Sequence, residues 1–254
     1  MNFIYAIIKS TTDYAKGHGT MKKFFLKHET LCAILLIVLY VVINSFCLNS
    51  IGLTDYRTAL VNTAFSALLI ALMVALGRVR YYGLTMPRDA KNYLWFLPLL
   101  LIISVNLWGG INTSHTTNEI LFHIISMINV GFIEEIIFRG FLFKMMAQNG
   151  IRSAVIVSAL TFGIGHIVNL FNGADVIPTL LQICYAAAIG FLFVIIFLKS
   201  GSLIPCIITH CAVNSLSIFS VENETFFFIT AAFLTVMPIA YAIYIIKRTE
   251  NSSN

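Results

Sequence analysis

Charge is scarce in this chain. Of its 254 residues only 11% are Asp, Glu, Lys or Arg, while 59% are hydrophobic, whereas a soluble domain carries about 25% charged residues. That shortage excludes an ordinary soluble globular domain, whose water-facing surface would need far more charge. The few charges lean basic, with 16 Lys and Arg against 11 Asp and Glu. Cysteines are also few: Cys32, Cys47, Cys184, Cys206 and Cys211 are odd in number, dispersed and embedded in apolar stretches. They read as small buried apolar residues, which excludes a disulfide framework and a zinc cluster. No HExxH helix, internal repeat, low-complexity tract or soluble domain is present.

Long apolar runs are abundant. About 20 apolar residues are needed to cross roughly 30 Å of hydrocarbon as a helix. Such runs fall at 31–48, 58–76, 93–108, 119–146, 153–171, 178–198, 202–220 and 226–246. The pattern predicts an all-α, polytopic membrane helix bundle of about eight transmembrane helices. The third run is the shortest and carries Pro98. In domain terms, residues 1–30 form a cytoplasmic or interfacial N-terminal segment, 31–248 a single transmembrane domain, and 249–254 a C-terminal tail. The N-terminal stretch does not read as a cleaved signal peptide, because apolar Phe3–Ile8 precedes the basic cluster rather than following it. Lys22, Lys23 and Lys27, interleaved with Phe24, Phe25 and Leu26, suit a headgroup-level anchor.

Orientation follows from the bases, since Lys and Arg are retained in cytoplasmic loops. Lys9, Lys16, Lys22, Lys23 and Lys27 precede the first run, and alternate loops carry Arg78, Arg80, Arg88 and Lys91, then Lys144 and Arg152, then Lys199, then Lys247 and Arg248. The intervening loops carry only Arg57. Eight spans with both termini cytoplasmic fit this split. The basic balance therefore reads as topology, and nucleic acid is set aside as a partner.

Against this background Glu134 and Glu135 stand out, adjacent acids inside the fourth run. A carboxylate at bilayer depth is costly and marks a functional site by default. Glu135 and Arg139 are four residues apart and share a helix face, while Glu134 points about 100° away. Glu135 with Arg139 predicts a buried pair that fixes the helix. Glu134 is left free to meet other helices, as a general base must be. A structural ion network or a proton relay would use the same acids.

Two histidines, His166 and His210, fall inside the fifth and seventh runs. Counted from the basic flanks at about 1.5 Å per residue, Glu134, His166 and His210 all lie roughly 15–21 Å deep, so three helices can converge on one polar site. His210 and Asn214 share a face and can offer two donors to a developing oxyanion. Phe162 stands one turn before His166, placed to wall the pocket. A cysteine-protease pairing of Cys211 with His210 is excluded, because adjacent helical residues diverge.

These residues form ordered motifs: Glu134-Glu135-Ile136-Ile137-Phe138-Arg139 as EExxxR, Phe162-Gly163-Ile164-Gly165-His166 as FxxxH, and His210-Cys211-Ala212-Val213-Asn214 as HxxxN. The set resembles the signature of the CPBP intramembrane proteases, the CAAX protease and bacteriocin-processing family also called Abi. The likeness covers about the last 140 residues, with the motifs in 119–220. It implies an eight-helix membrane endopeptidase whose polar site opens towards the cytoplasm. It further implies that Glu134 activates water with His166, that His210 and Asn214 stabilise the oxyanion, and that Glu135 and Arg139 support the first motif.

A carboxylate and two imidazoles could also hold zinc or another divalent metal, with Glu134, His166 and His210 as ligands. The metal-free reading is favoured. The substrate implied is a hydrophobic, lipidated or membrane-associated peptide, in CAAX-type processing, in bacteriocin or peptide maturation, or in self-immunity. A non-catalytic membrane immunity or peptide-binding protein is the alternative, and a proton-coupled transporter a more distant one. The expected location is the plasma membrane of a bacterium, with the lipid bilayer as partner and the site reached from the cytoplasmic side.

Overall fold

A computed structural model describes residues 20–87 and 96–251. Lys9, Lys16, Arg88 and Lys91 lie outside the described residues, as does the start of the third apolar run. The described residues are helical and contain no strand. In chain order they form α1 (Thr20–Lys27), α2 (Glu29–Ser50), α3 (Tyr56–Ala75) and α4 (Leu99–Ser104). These are followed by α5 (Thr117–Ala147), α6 (Ile151–Gly165) and the single turn α7 (Val168–Phe171), then α8 (Val176–Ser200), α9 (Ile204–Leu216) and α10 (Glu224–Asn251).

Six of the apolar runs become helices long enough to cross a membrane among the described residues: α2, α3, α5, α6 continued through α7, α8 and α10. The seventh run is a shorter apolar helix, α9 prolonged by a 3-10 turn to Phe219. The third is shorter still, with α4 following Pro98 and tightening into a 3-10 turn at Val105–Leu107. Local chemistry sets these ends. Asp55 caps α3 by accepting the Arg57 backbone N–H at 2.8 Å. Thr116 and Glu119 form a reciprocal capping box at the start of α5. Gly201, at φ 71°, supplies the left-handed residue that ends α8. Pro205 sits in the first turn of α9, where its missing N–H costs nothing.

Helix α8 packs against both α6 and α10, while α5 packs against α3 and α9. Close approach depends on glycine. A Cβ at Gly131 of α5 would lie 2.8 Å from the Cys211 backbone nitrogen, and one at Gly163 of α6 would lie 2.7 Å from the Ile183 carbonyl oxygen. Backbone-on-backbone contact of this kind stands in for the hydrophobic drive that is missing between helices in lipid. Large apolar residues such as Leu35, Val42, Leu60 and Val236 stay exposed on the rim, as a lipid-facing surface requires.

Cross-links show which loops share an end. Glu29 accepts from Arg78 at 2.6 Å and from Gln148 at 2.7 Å, which gathers the start of α2, the turn after α3 and the turn after α5. At the opposite end Asn49 donates to Asn172 at 2.9 Å, and the Asn112 backbone N–H to the Phe219 carbonyl at 2.8 Å. The loops rich in Lys and Arg are thus at one end of the bundle and the loops poor in them at the other. At the basic end burial pushes the Tyr82 hydroxyl pKa well above its ordinary value. At the other end the Arg57 guanidinium lowers the Asp55 carboxyl to about 2.

Candidate active site

Midway along α5 the helix widens into a π-helical stretch, Ile136–Phe143, directly after the two acids. Such stretches are rare and often accompany functional sites. The pair predicted within the helix is present: Arg139 donates to Glu135 at 2.9 Å, and both side chains have no solvent exposure. The guanidinium lies 4.0 Å from the centroid of the Phe162 ring, and Phe193 flanks it at 5.7 Å. A Cβ at Gly190 would come within 3.1 Å of the Arg139 Nη2, so the absence of a side chain there makes room for the arginine.

The two acids share one partner that their helical phase did not suggest. His210 Nδ1 meets Glu135 Oε1 at 2.9 Å, while its Nε2 lies 3.4 Å from Glu134 Oε2. Glu135 Oε1 already accepts from Arg139, so Nδ1 must carry the hydrogen in that contact. Glu135 therefore fixes the orientation and tautomer of His210 besides pairing within its own helix. Glu134 is the acid that reaches open space: its side chain keeps 12% exposure, against none for Glu135.

Sequence reasoning missed Tyr40. Its hydroxyl donates to Glu134 Oε1 at 2.5 Å, across 94 positions of sequence. A phenol and, one turn on, the amide of Asn44 inside an apolar run were the available signals. Sequence reasoning also left His123 without a role. Its Nε2 lies 3.3 Å from the Asn214 carbonyl and 3.1 Å from the Ser217 hydroxyl, which ties α5 to the end of α9.

Phe162 holds the site together. Its ring meets His166 edge-on at 5.5 Å and His210 at 5.7 Å, while its face carries Arg139. His166 is the first residue past α6, just where that helix turns into α7. Glu134, His166, His210 and Asn214 all line one cavity of about 490 Å³, with Tyr40 and Phe162 also in its wall. The convergence of three helices is thus present. No side-chain hydrogen bond engages the Asn214 amide or the His166 imidazole among the described residues, so both face the cavity free. Among the described residues no group of three or more His, Cys, Asp or Glu is arranged to hold a metal ion.

The cysteines are unpaired, and Cys47 and Cys206 are buried as expected. Cys184 differs: it is exposed on the rim of α8. The cavity extends towards one end of the bundle. It runs from Glu134 towards Leu48, Leu53, Asn172 and Ala174, at the end poor in Lys and Arg. Towards the basic end every residue of Ile136–Phe143 and Leu192–Phe197 is buried.

The family model described as Type II CAAX prenyl endopeptidase Rce1-like matches residues 116–216, a segment that contains all three motifs. No curated protein and no solved structure matches the chain.

Proposed function

With residues 116–216 matching the Rce1-like family of membrane endopeptidases, we propose that this chain hydrolyses a peptide bond in a hydrophobic, lipidated or membrane-associated peptide, within a bacterial plasma membrane. The observation that carries the reading is a partly exposed Glu134 carboxylate on the wall of a cavity that also presents His166, His210 and Asn214.

Each group has a distinct task. Tyr40 holds Glu134 Oε1 and leaves Oε2 facing the cavity. A water between Oε2 and His166 loses a proton to Glu134 as its oxygen attacks the scissile carbonyl carbon. The carbonyl oxygen becomes an oxyanion and receives hydrogen bonds from the Asn214 amide and from His210 Nε2–H. Because Nδ1–H is committed to Glu135, donation from Nε2 requires the imidazolium form. Collapse of the intermediate breaks the C–N bond, and the proton held by Glu134 passes to the leaving amine. The products are a free carboxylate and a free amine. Low dielectric makes each fixed donor worth a few kcal/mol. No step calls for a metal, and activity should survive exhaustive chelation.

The test is Glu134→Gln, whose amide oxygen can still accept from Tyr40. Cleavage of membrane peptides, followed by mass spectrometry, should fall at least 100-fold, the lower range of a general base's contribution, with the melting temperature in detergent unchanged. Retained cleavage, or complete loss on chelation restored by zinc, would overturn the reading.

A further inference from the structure

The last turn of α9 is gripped from outside at two consecutive carbonyls. Asn106, in the 3-10 turn that prolongs α4, donates its carboxamide N–H to the Val213 carbonyl at 2.6 Å. Val213 and Asn214 are among the last four residues of α9, whose carbonyls a helix end leaves short of intrahelical partners. At Asn214 the helix tightens, and its carbonyl takes the Ser217 backbone N–H instead. Ser217 Oγ donates to the same carbonyl at 2.7 Å. That hydroxyl hydrogen is then engaged, so in the 3.1 Å contact between Ser217 Oγ and His123 Nε2 the hydrogen comes from the imidazole. The same Nε2 lies 3.3 Å from the Asn214 carbonyl.

Both gripping residues are themselves fixed. Ile102 and Val105 beside Asn106 are buried, and Trp108 packs on Phe233 at 4.8 Å. His123 is buried too, earlier on the helix that carries Glu134. The Asn214 carboxamide, by contrast, makes no side-chain hydrogen bond among the described residues, so its aim into the cavity depends on its main chain. An oxyanion donor is effective when it is aimed in advance at the place where charge develops, and supporting groups must hold it there.

Resting on the peptidase reading above, we propose that Asn106 and His123 are positioning residues for the Asn214 amide, holding the Val213 and Asn214 carbonyls so that the amide meets the oxyanion without rearrangement. Asn106 also lines the cavity beside Val213 and Asn214. It stands before the matched segment 116–216, so the oxyanion site draws on the third apolar run as well as on the motifs. Through His123, α5 carries both the general base and a grip on the donor that faces it.

Hydrogen exchange and a double-mutant cycle test the proposal together. Asn106→Leu and His123→Leu each remove a donor, and His123→Gln keeps an amide N–H close to where Nε2–H stood. In exchange mass spectrometry of the full chain in detergent, both leucine variants should speed exchange in residues 213–220 by about fivefold, the scale of one lost hydrogen bond, with residues 204–209 unchanged. Unaltered exchange in 213–220 would overturn the proposal, whether or not the chain cleaves peptides. In steady-state kinetics on a fluorogenic membrane peptide, Asn214→Ala should lower kcat about 100-fold, the lower range for one lost oxyanion donor. Asn106→Leu should lower kcat about tenfold with KM unchanged, since a misaimed donor keeps part of its effect. In the Asn214→Ala background it should lower kcat little further, because the amide it acts through is gone. His123→Gln should recover most of what His123→Leu loses. An equal fall from Asn106→Leu in both backgrounds, or equal losses from His123→Gln and His123→Leu, would reduce the grips to structural ties and overturn the proposal. Loss of the peptidase reading would leave the exchange result in place, so the two failures are distinguishable.

Discussion

Glu134 has two oxygens and two different neighbours for them. Tyr40 takes Oε1 with a short hydrogen bond, and His210 stands at a longer distance from Oε2. A phenol at this position holds the carboxylate in one rotamer and keeps the second oxygen turned to the cavity. Tyr40→Phe removes only the donor. A hydrogen bond to a charged group is worth about 1.5 kcal/mol, so kcat should fall about tenfold, with KM and melting temperature unchanged. Steady-state kinetics on a fluorogenic membrane peptide separates this positioning role from a packing role, which would lower stability first. The two acids and the pairing of Glu135 with Arg139 were legible in the sequence, because a buried carboxylate is rare and helical phase is arithmetic. The i,i+4 spacing of Glu135 and Arg139 translated directly into their contact. Tyr40 was not legible, since nothing local links two residues on different helices. The double use of His210 was hidden for a similar reason. Phase on α5 alone sends the acids apart, and only the placement of α9 lets one imidazole touch both.

The helices are positioned by small residues as much as by large ones. Gly131 lies against the backbone of Cys211, the neighbour of His210, so the crossing of α5 and α9 sets the distance between the acids and the imidazole. Gly131→Ala forces a Cβ into a backbone that cannot yield like a flexible side chain. Overpacking of this kind costs about 1–3 kcal/mol, and the shift is delivered to His210. A lower melting temperature together with lost cleavage is the expected result. Gly165→Ala meets nothing closer than the Phe138 ring at 3.9 Å, so its melting temperature should stay within error of the unaltered protein. Thermal unfolding of the two variants in the same detergent makes the comparison. Apolar runs announced the six long helices, since length and hydropathy alone decide them. The π-helical widening at Ile136–Phe143 had no such announcement. Its cause is tertiary: the segment is surrounded by α2, α6 and α8, and the sequence around Arg139 is simply apolar. Pro98 in the third run was a fair warning of the short α4 that follows it.

At the scale of the whole molecule the described residues are packed at one end of the bundle and enclose a cavity towards the other, and one acid fastens the packed end. Loop charge alone marked the two ends, because insertion sorts Lys and Arg without regard to packing. Which end is hollow could not be read from charge, since it depends on where large rings meet, and rings such as Tyr82 and Phe141 come from distant segments. Glu29 receives Arg78 on one oxygen and Gln148 on the other, linking three segments at the basic end. Arg78 is buried, so loss of Glu29 leaves a charge with little water around it. Hydrogen bonds to charged groups contribute about 1.5–3 kcal/mol, and Glu29→Ala should destabilise the protein by about that amount. Glu29→Gln keeps an acceptor for Arg78 and should recover part of the loss. Because the acid ties loops at the basic end and does not line the cavity, hydrogen exchange should rise in residues 78–86 and 146–150 while the segments around Glu134 and His210 stay protected. Exchange mass spectrometry of the two variants reads this directly. Equal loosening at both ends would mean that the packed end does not hold independently of the site.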